Sequence, residues 1–150
     1  MPEPSRGDRM HAEADHVQKW VAAHAGRVLP VGQSRMFTLQ LEGMPWNLAG
    51  NRLNWPALPS RTVELGRPEI RAEMSTSRLG RHDWVFLLYA PDEPGVLGPL
   101  ADALDALDEL YWMAPGPRYL CGADLVDDKV RLAVEDLAEY DGIQQLTVRL

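Results

Sequence analysis

The sequence predicts an α+β domain: an antiparallel sheet of about five to seven strands, with an N-terminal helix and a central acidic helix packed on it. Three observations predict this. Apolar residues recur at helical spacing near the N-terminus and again in "PLADALDALDELYW" (99–112). The run "WVFLLYA" (84–90) is apolar on both faces, as a central strand must be. Finally, "CGADLVDDKVRLAV" (121–134) alternates on either side of a two-residue turn.

At 150 residues the chain fits one domain, long enough to bury roughly 70% of its unfolded surface. Residues 1–8 carry Pro2, Pro4, Ser5 and Gly7 and read as a flexible tail, leaving 9–150 as a single α+β domain. Asp8 is placed to N-cap a helix running to about Ala25, with Gly26 as its stop. Met10, Ala14, Val17, Val21 and Val28 share one face of that helix, with Trp20 on the flank. In "SRMFTLQLE" (34–42), Phe37, Leu39 and Leu41 alternate with Met36, Thr38 and Gln40, which predicts a half-buried strand.

The stretch "PWNLAGNRLNWP" (45–56) reads nearly the same in both directions. A turn at 49–52 sets Leu48 against Leu53, Asn47 against Asn54 and Trp46 against Trp55, with both Trp and both Leu residues on one side. Pro45 and Pro56 lack an N–H for a ladder, so the ribbon is expected to be short and at an edge. "TVEL" (62–65) and "EIRAEMS" (69–75) read as strands about Gly66-Arg67-Pro68. The central helix runs from Pro99, suited to a first helical position, to Trp112, and Pro115-Gly116-Pro117 ends it. Its buried stripe is Leu100, Leu104, Leu107 and Tyr111.

With Asp127-Asp128 as the turn, Val126 pairs with Lys129, Leu125 with Val130 and Ala123 with Leu132, while Asp124 sits opposite Arg131. Cys121, Ala123, Leu125, Val130, Leu132 and Val134 then share one face. A helix over 126–138 is the rival reading, and Leu132 falls off its stripe. Residues 136–150 stay open between helix and strand: Gly142 interrupts a helix, and Leu146, Val148 and Leu150 alternate.

Composition limits the function. The longest apolar run is seven residues, too short to span a bilayer as a helix, and "MPEPSRGDR" has no apolar leader segment; the expectation is a cytoplasmic protein with no membrane role. Cys121 is the single cysteine, which rules out an internal disulfide. Residues 1–81 hold 11 Lys and Arg against 8 Asp and Glu, whereas residues 82–150 hold 4 against 14. An acidic half disfavours direct contact with nucleic acid and suits a basic protein partner.

The residues that could carry chemistry have structural readings. His11 and His16 are five apart and point about 140° away from each other on a helix, so they cannot share an ion. His24 belongs at the core edge, and His11 and Asp15 form a surface pair. His82, Asp83, Ser75, Thr76 and Ser77 are polar residues at a strand end, without a nucleophile elbow or phosphate loop. "DLVDD" suits a tight turn better than a hard cation. Cys121 faces inward as a small hydrophobe. No catalytic residue, metal or cofactor is implied.

Two surfaces remain as protein-binding candidates. One is the Trp ribbon of Trp46, Leu48, Leu53 and Trp55. The other is the acidic helix, where Asp102, Asp105 and Glu109 form one face with Asp108 on its flank, no Lys or Arg neutralises them, and Trp112 projects beside Asp105 and Asp108. Acid around a single Trp has the composition of an interaction hot spot.

The order helix, strands, "DWVFLLYAPDEPG", an acidic Leu-rich helix and "RYLCGADLVDDKVRLAVEDL" resembles the YbjN-like family, whose fold is similar to type III secretion chaperones. The resemblance rests on topology and on residues 84–89, 100–110 and 119–134. It implies a small acidic α+β protein that is usually a homodimer, binds other proteins and catalyses nothing. The leading expectation is therefore a chaperone- or adaptor-like interaction module. The second is an immunity- or antitoxin-type inhibitor whose acidic helix occupies a basic site on a toxin or nucleic-acid-binding protein. The third is a small-ligand or enzymatic domain with a pocket under the Trp ribbon.

Overall fold

Asp127 and Asp128 both take left-handed backbone (φ 50° and 66°), the geometry of a two-residue hairpin turn. In the computed structural model, which describes residues 11–112, 114 and 118–150, that turn joins β5 (Arg118–Val126) to β6 (Lys129–Tyr140). The register is the one the alternation predicts, with Val126 opposite Lys129, Asp124 opposite Arg131 and Ala123 opposite Leu132. Past Gly122–Ala133 the register jumps to Cys121–Leu137, so residues 134–136 have no partner on β5. This bulge bends the hairpin.

The hairpin is the middle of a seven-stranded antiparallel sheet. The other strands are β1 (Arg27–Leu29), β2 (Ser60–Glu64), β3 (Trp84–Leu87), β4 (Gly95–Pro99) and β7 (Gln145–Arg149), in the order β1-β4-β3-β5-β6-β7-β2. Tail residues 136–150 are thus strand, turn and strand, with Gly142 and Gln144 at positive φ in the turn.

Both faces of the sheet are covered, which explains why 84–90 is apolar throughout. Val85 and Leu87 of β3 join a core with Val17, Trp20, Met74, Leu107, Leu110 and Tyr111. That face carries α1 (Asp15–Ala23), α3 (Ile70–Met74), α4 (Leu100–Leu104) and α5 (Leu107–Leu110). Phe86 and Leu88 join a second core with Phe37, Leu41, Leu53, Trp55 and Cys121, under α2 (Val31–Glu42). Cys121 is buried, and burial pushes its thiol well above the usual range. No helix among the described residues is long and apolar enough to cross a membrane.

Several expected elements differ. Residues 34–42 lie in α2 and not in a strand: Ser34, Phe37 and Leu41 are buried at helical spacing, whereas Leu39 is 68% exposed. Residues 70–74 are likewise helical, with Ile70 and Met74 one turn apart against the core. The N-terminal helix is preceded by a short 3-10 turn (His11–Glu13), and the left-handed residue at its end is Ala25, not Gly26. Val28 belongs to β1. Trp20 sits in the core and not on a flank, because Gly98 of β4 makes room for it: a Cβ there would lie 2.5 Å from the indole ring. Gly98 in that seat, and Gly95 against Phe86, hid β4 from the sequence pattern. The central helix breaks at Ala106 (φ −121°, ψ 14°) into α4 and α5, and Pro99 is the N-cap of α4. Asp8, Met10, the tail 1–8 and the Pro115-Gly116-Pro117 stop lie outside the described residues.

Candidate functional site

The mirror stretch forms a different turn from the one its symmetry suggests. Gly50 takes φ 71°, and its N–H bonds the carbonyl of Asn47 (2.9 Å), so the chain turns over 47–50. Asn47 N–H then donates to Arg52 O (2.8 Å), and Trp46 bridges to Leu53. Trp46 and Trp55 are therefore not cross-strand partners. The local left-handed preference of one glycine sets the register, overriding the sequence symmetry.

The four ribbon residues part company. Leu53 and Trp55 are buried, and so are not presented to a partner. Leu48 is fully exposed at the loop tip, and Trp46 is half-buried. Trp55 Nε1 donates to Glu139 (3.1 Å), whose carboxylate also pairs with Arg52 (2.6 Å) and is only 4% exposed. The Tyr119 hydroxyl accepts the Leu53 N–H (3.0 Å), and burial pushes its pKa up to about 12. Trp46 meets Tyr119 edge-on, with ring centroids 6.1 Å apart, and its Nε1 donates to Leu41 O at the end of α2 (3.0 Å). Tyr119 and Glu139 thus hold the loop to the sheet. Sequence reasoning passed over both, although a carboxylate inside the strand run "LAEY" is a signal for a buried partner.

A cleft of about 440 Å³ opens beside Trp46, between the end of α2 and the segment after β3. Leu41, Leu88, Tyr89 and Tyr119 line it along with Trp46. At its mouth His11 is not paired with Asp15 as its spacing suggested. Its backbone N–H and its ring Nδ1 both meet Glu93 Oε1 (2.8 and 2.9 Å), and its ring stacks on Tyr89.

The acidic segment lies on the other face of the sheet. Asp102, Asp105, Asp108 and Glu109 are all exposed, and no ion pair among the described residues involves any of them. Trp112 follows α5 and is 65% exposed. Asp108 has a structural task as well, accepting hydrogen bonds from Tyr140 Oη and Gln144 Nε2 and so tying α5 to the β6–β7 turn.

His82 is more constrained than a strand-end polar residue. Its Nδ1 lies 2.9 Å from Asp124 and its Nε2 2.7 Å from Asp136, which the bulge of β6 supplies. Arg78 stands 3.8 Å from Asp136. Gly122 provides the space, since a Cβ there would lie 2.2 Å from the imidazole. Burial opposes charge on the ring, but hydrogen bonds and attraction from Asp136 and Asp124 outweigh it and raise the His82 pKa. Ser75, Thr76 and Ser77 each donate to the backbone carbonyl three residues back, on Ala72, Glu73 and Met74, and not to His82. His24 stacks on Trp20 at the core edge (4.7 Å). No group of three or more His, Cys, Asp or Glu among the described residues could hold a metal ion.

Comparison with known proteins returns no match to this chain among family models, curated proteins or solved structures.

Proposed function

We propose that the chain is a non-enzymatic protein-interaction module, chaperone- or adaptor-like and homodimeric, that docks a protein partner through the acidic α4–α5 surface. The observation that carries this reading is Trp112, a large aromatic left 65% exposed at the end of a segment with four exposed carboxylates. An exposed Trp is the residue type in which binding hot spots are enriched, and the carboxylates around it suit a basic partner. The polar cluster at 75–83 supports a role other than catalysis. Both His82 nitrogens are taken by carboxylates, and the neighbouring hydroxyls are spent on the backbone. The sequence resemblance to YbjN-like proteins over residues 84–89, 100–110 and 119–134 points the same way.

Affinity capture from the native host, with wild type and Trp112→Ala side by side, tests the proposal. Trp112→Ala should lose the captured partner while changing stability by less than about 1 kcal/mol, as exposed substitutions do. A partner retained at full yield by Trp112→Ala would sink it. Binding that weakens steeply with salt would favour the inhibitor reading, in which the acidic helix fills a basic site on a toxin or nucleic-acid-binding protein.

A further inference from the structure

We propose that the cleft beside Trp46 binds a small organic cation, an ammonium or amidinium carried on an aromatic or branched apolar body. This site shares no lining residue with the α4–α5 surface; it opens where the two cores meet, with Tyr89 from one and Leu41, Leu88 and Tyr119 from the other. Its volume, about 440 Å³, falls within the range of small-molecule pockets and is too large for a lone ion. Trp46, Tyr89 and Tyr119 line it; His11 stacks on Tyr89, and the half-buried Trp46 offers the most open ring, whose quadrupole attracts cations.

The charged groups decide the sign of the ligand. Glu42 and Glu93 line the cleft, and among the described residues neither Lys nor Arg does. His11, the basic side chain of the lining among the described residues, is already held on Glu93 Oε1. Glu93 Oε2 makes no hydrogen bond among the described residues, and Glu42 is exposed on the rim. Among the described residues an anion entering here would meet two carboxylates, with His11, already engaged by Glu93, as the counter-charge; a cation would gain from Glu42 and from the open Oε2 of Glu93. The apolar remainder, Leu41 and Leu88, takes the body of the ligand.

Titration of the isotope-labelled full chain with phenethylammonium, followed by NMR, tests the proposal. Phenylpropionate and phenethyl alcohol serve as its anionic and neutral counterparts. Phenethylammonium should shift the Trp46 indole N–H and the Thr38 and Tyr89 amides saturably, with a Kd at least about tenfold below that of phenylpropionate. Glu42→Gln, a surface change that leaves the core alone, should weaken the ammonium several-fold and leave the alcohol unaffected, and Glu93→Gln should do the same. Equal binding of ammonium and carboxylate, absence of saturation at millimolar concentration, or shifts confined to Trp112 would each overturn it. So would shifts produced by a basic peptide and not by the free ammonium, which would make the cleft part of a protein interface. None of these outcomes bears on partner capture through Trp112, so the two proposals fail separately.

Discussion

At the scale of single residues, His82 and Trp55 carry the clearest consequences. A neutral imidazole can donate from only one nitrogen, yet both His82 nitrogens face carboxylates, so the fold favours the doubly protonated ring. The folded-state pKa therefore stands above 6.5. Its contribution to stability is complete below pH 6.5 and is lost as pH rises through the folded value, provided Asp124 and Asp136 stay ionised. Denaturant melts should show wild type losing stability from about pH 6.5 upward, and His82→Gln should flatten that slope while costing on the order of 1–3 kcal/mol at pH 6. A His82→Gln profile parallel to that of wild type would show that the ring carries no linked charge. Trp55→Ala should cost about 3–5 kcal/mol, because it empties a buried site and leaves Glu139 without one of its donors. Trp46→Ala, at a half-buried position, should cost clearly less, and a reversal of that order in thermal melts would contradict the packing described. Neither role was legible in the sequence. Asp124 meets His82 through the pairing of β5 with β3, and Asp136 does so through the bulge in β6; no local pattern announces either.

Elements were legible where one period dominated and a turn enforced it. The 119–134 hairpin has alternation on both arms and two residues that tolerate positive φ, so its register is as predicted from the turn to Gly122–Ala133, beyond which the bulge shifts it. Residues 34–42 satisfy both periods at once, since Phe37 and Leu41 fit a strand and a helix equally. Tertiary packing selects the helix, burying Ser34, Phe37 and Leu41 and leaving Leu39 exposed. The Asp124–Arg131 pairing also needs refinement at this scale. Their Cα atoms are register partners, but the Asp124 carboxylate bonds His82 and makes no ion pair with Arg131. Asp124→Lys should therefore destabilise by placing like charges opposite each other and by breaking the His82 contact. Adding Arg131→Asp should restore only the smaller, cross-strand part. Full recovery in the double mutant would show that the cross-strand pair, and not His82, is what Asp124 serves.

Across the whole molecule, the charge asymmetry and the two sheet edges bear on self-association. Edge strand β1 is three residues long and runs into Pro30, while β2 follows Pro59 and exposes Arg61, Thr62 and Glu64. Short, charged and proline-flanked edges resist pairing, so a dimer through sheet extension is disfavoured. The α4–α5 surface belongs to residues 82–150, with 14 acidic against 4 basic residues, and apposing it to its own copy would set carboxylate against carboxylate. The remaining candidate is the side of α2, in the half of the chain with 11 basic against 8 acidic residues. There Leu39 is 68% exposed, and Leu48 is fully exposed at the tip of the following loop. If the chain dimerises as proposed, light scattering over a concentration series should give twice 16.8 kDa for wild type and for Trp112→Ala. Leu39→Glu and Leu48→Asp should shift the mass towards one chain without loss of the fold, since both side chains point to solvent in the monomer. A single-chain mass at every concentration would refute the dimer, and a dimer indifferent to both substitutions would refute the α2 side as its interface.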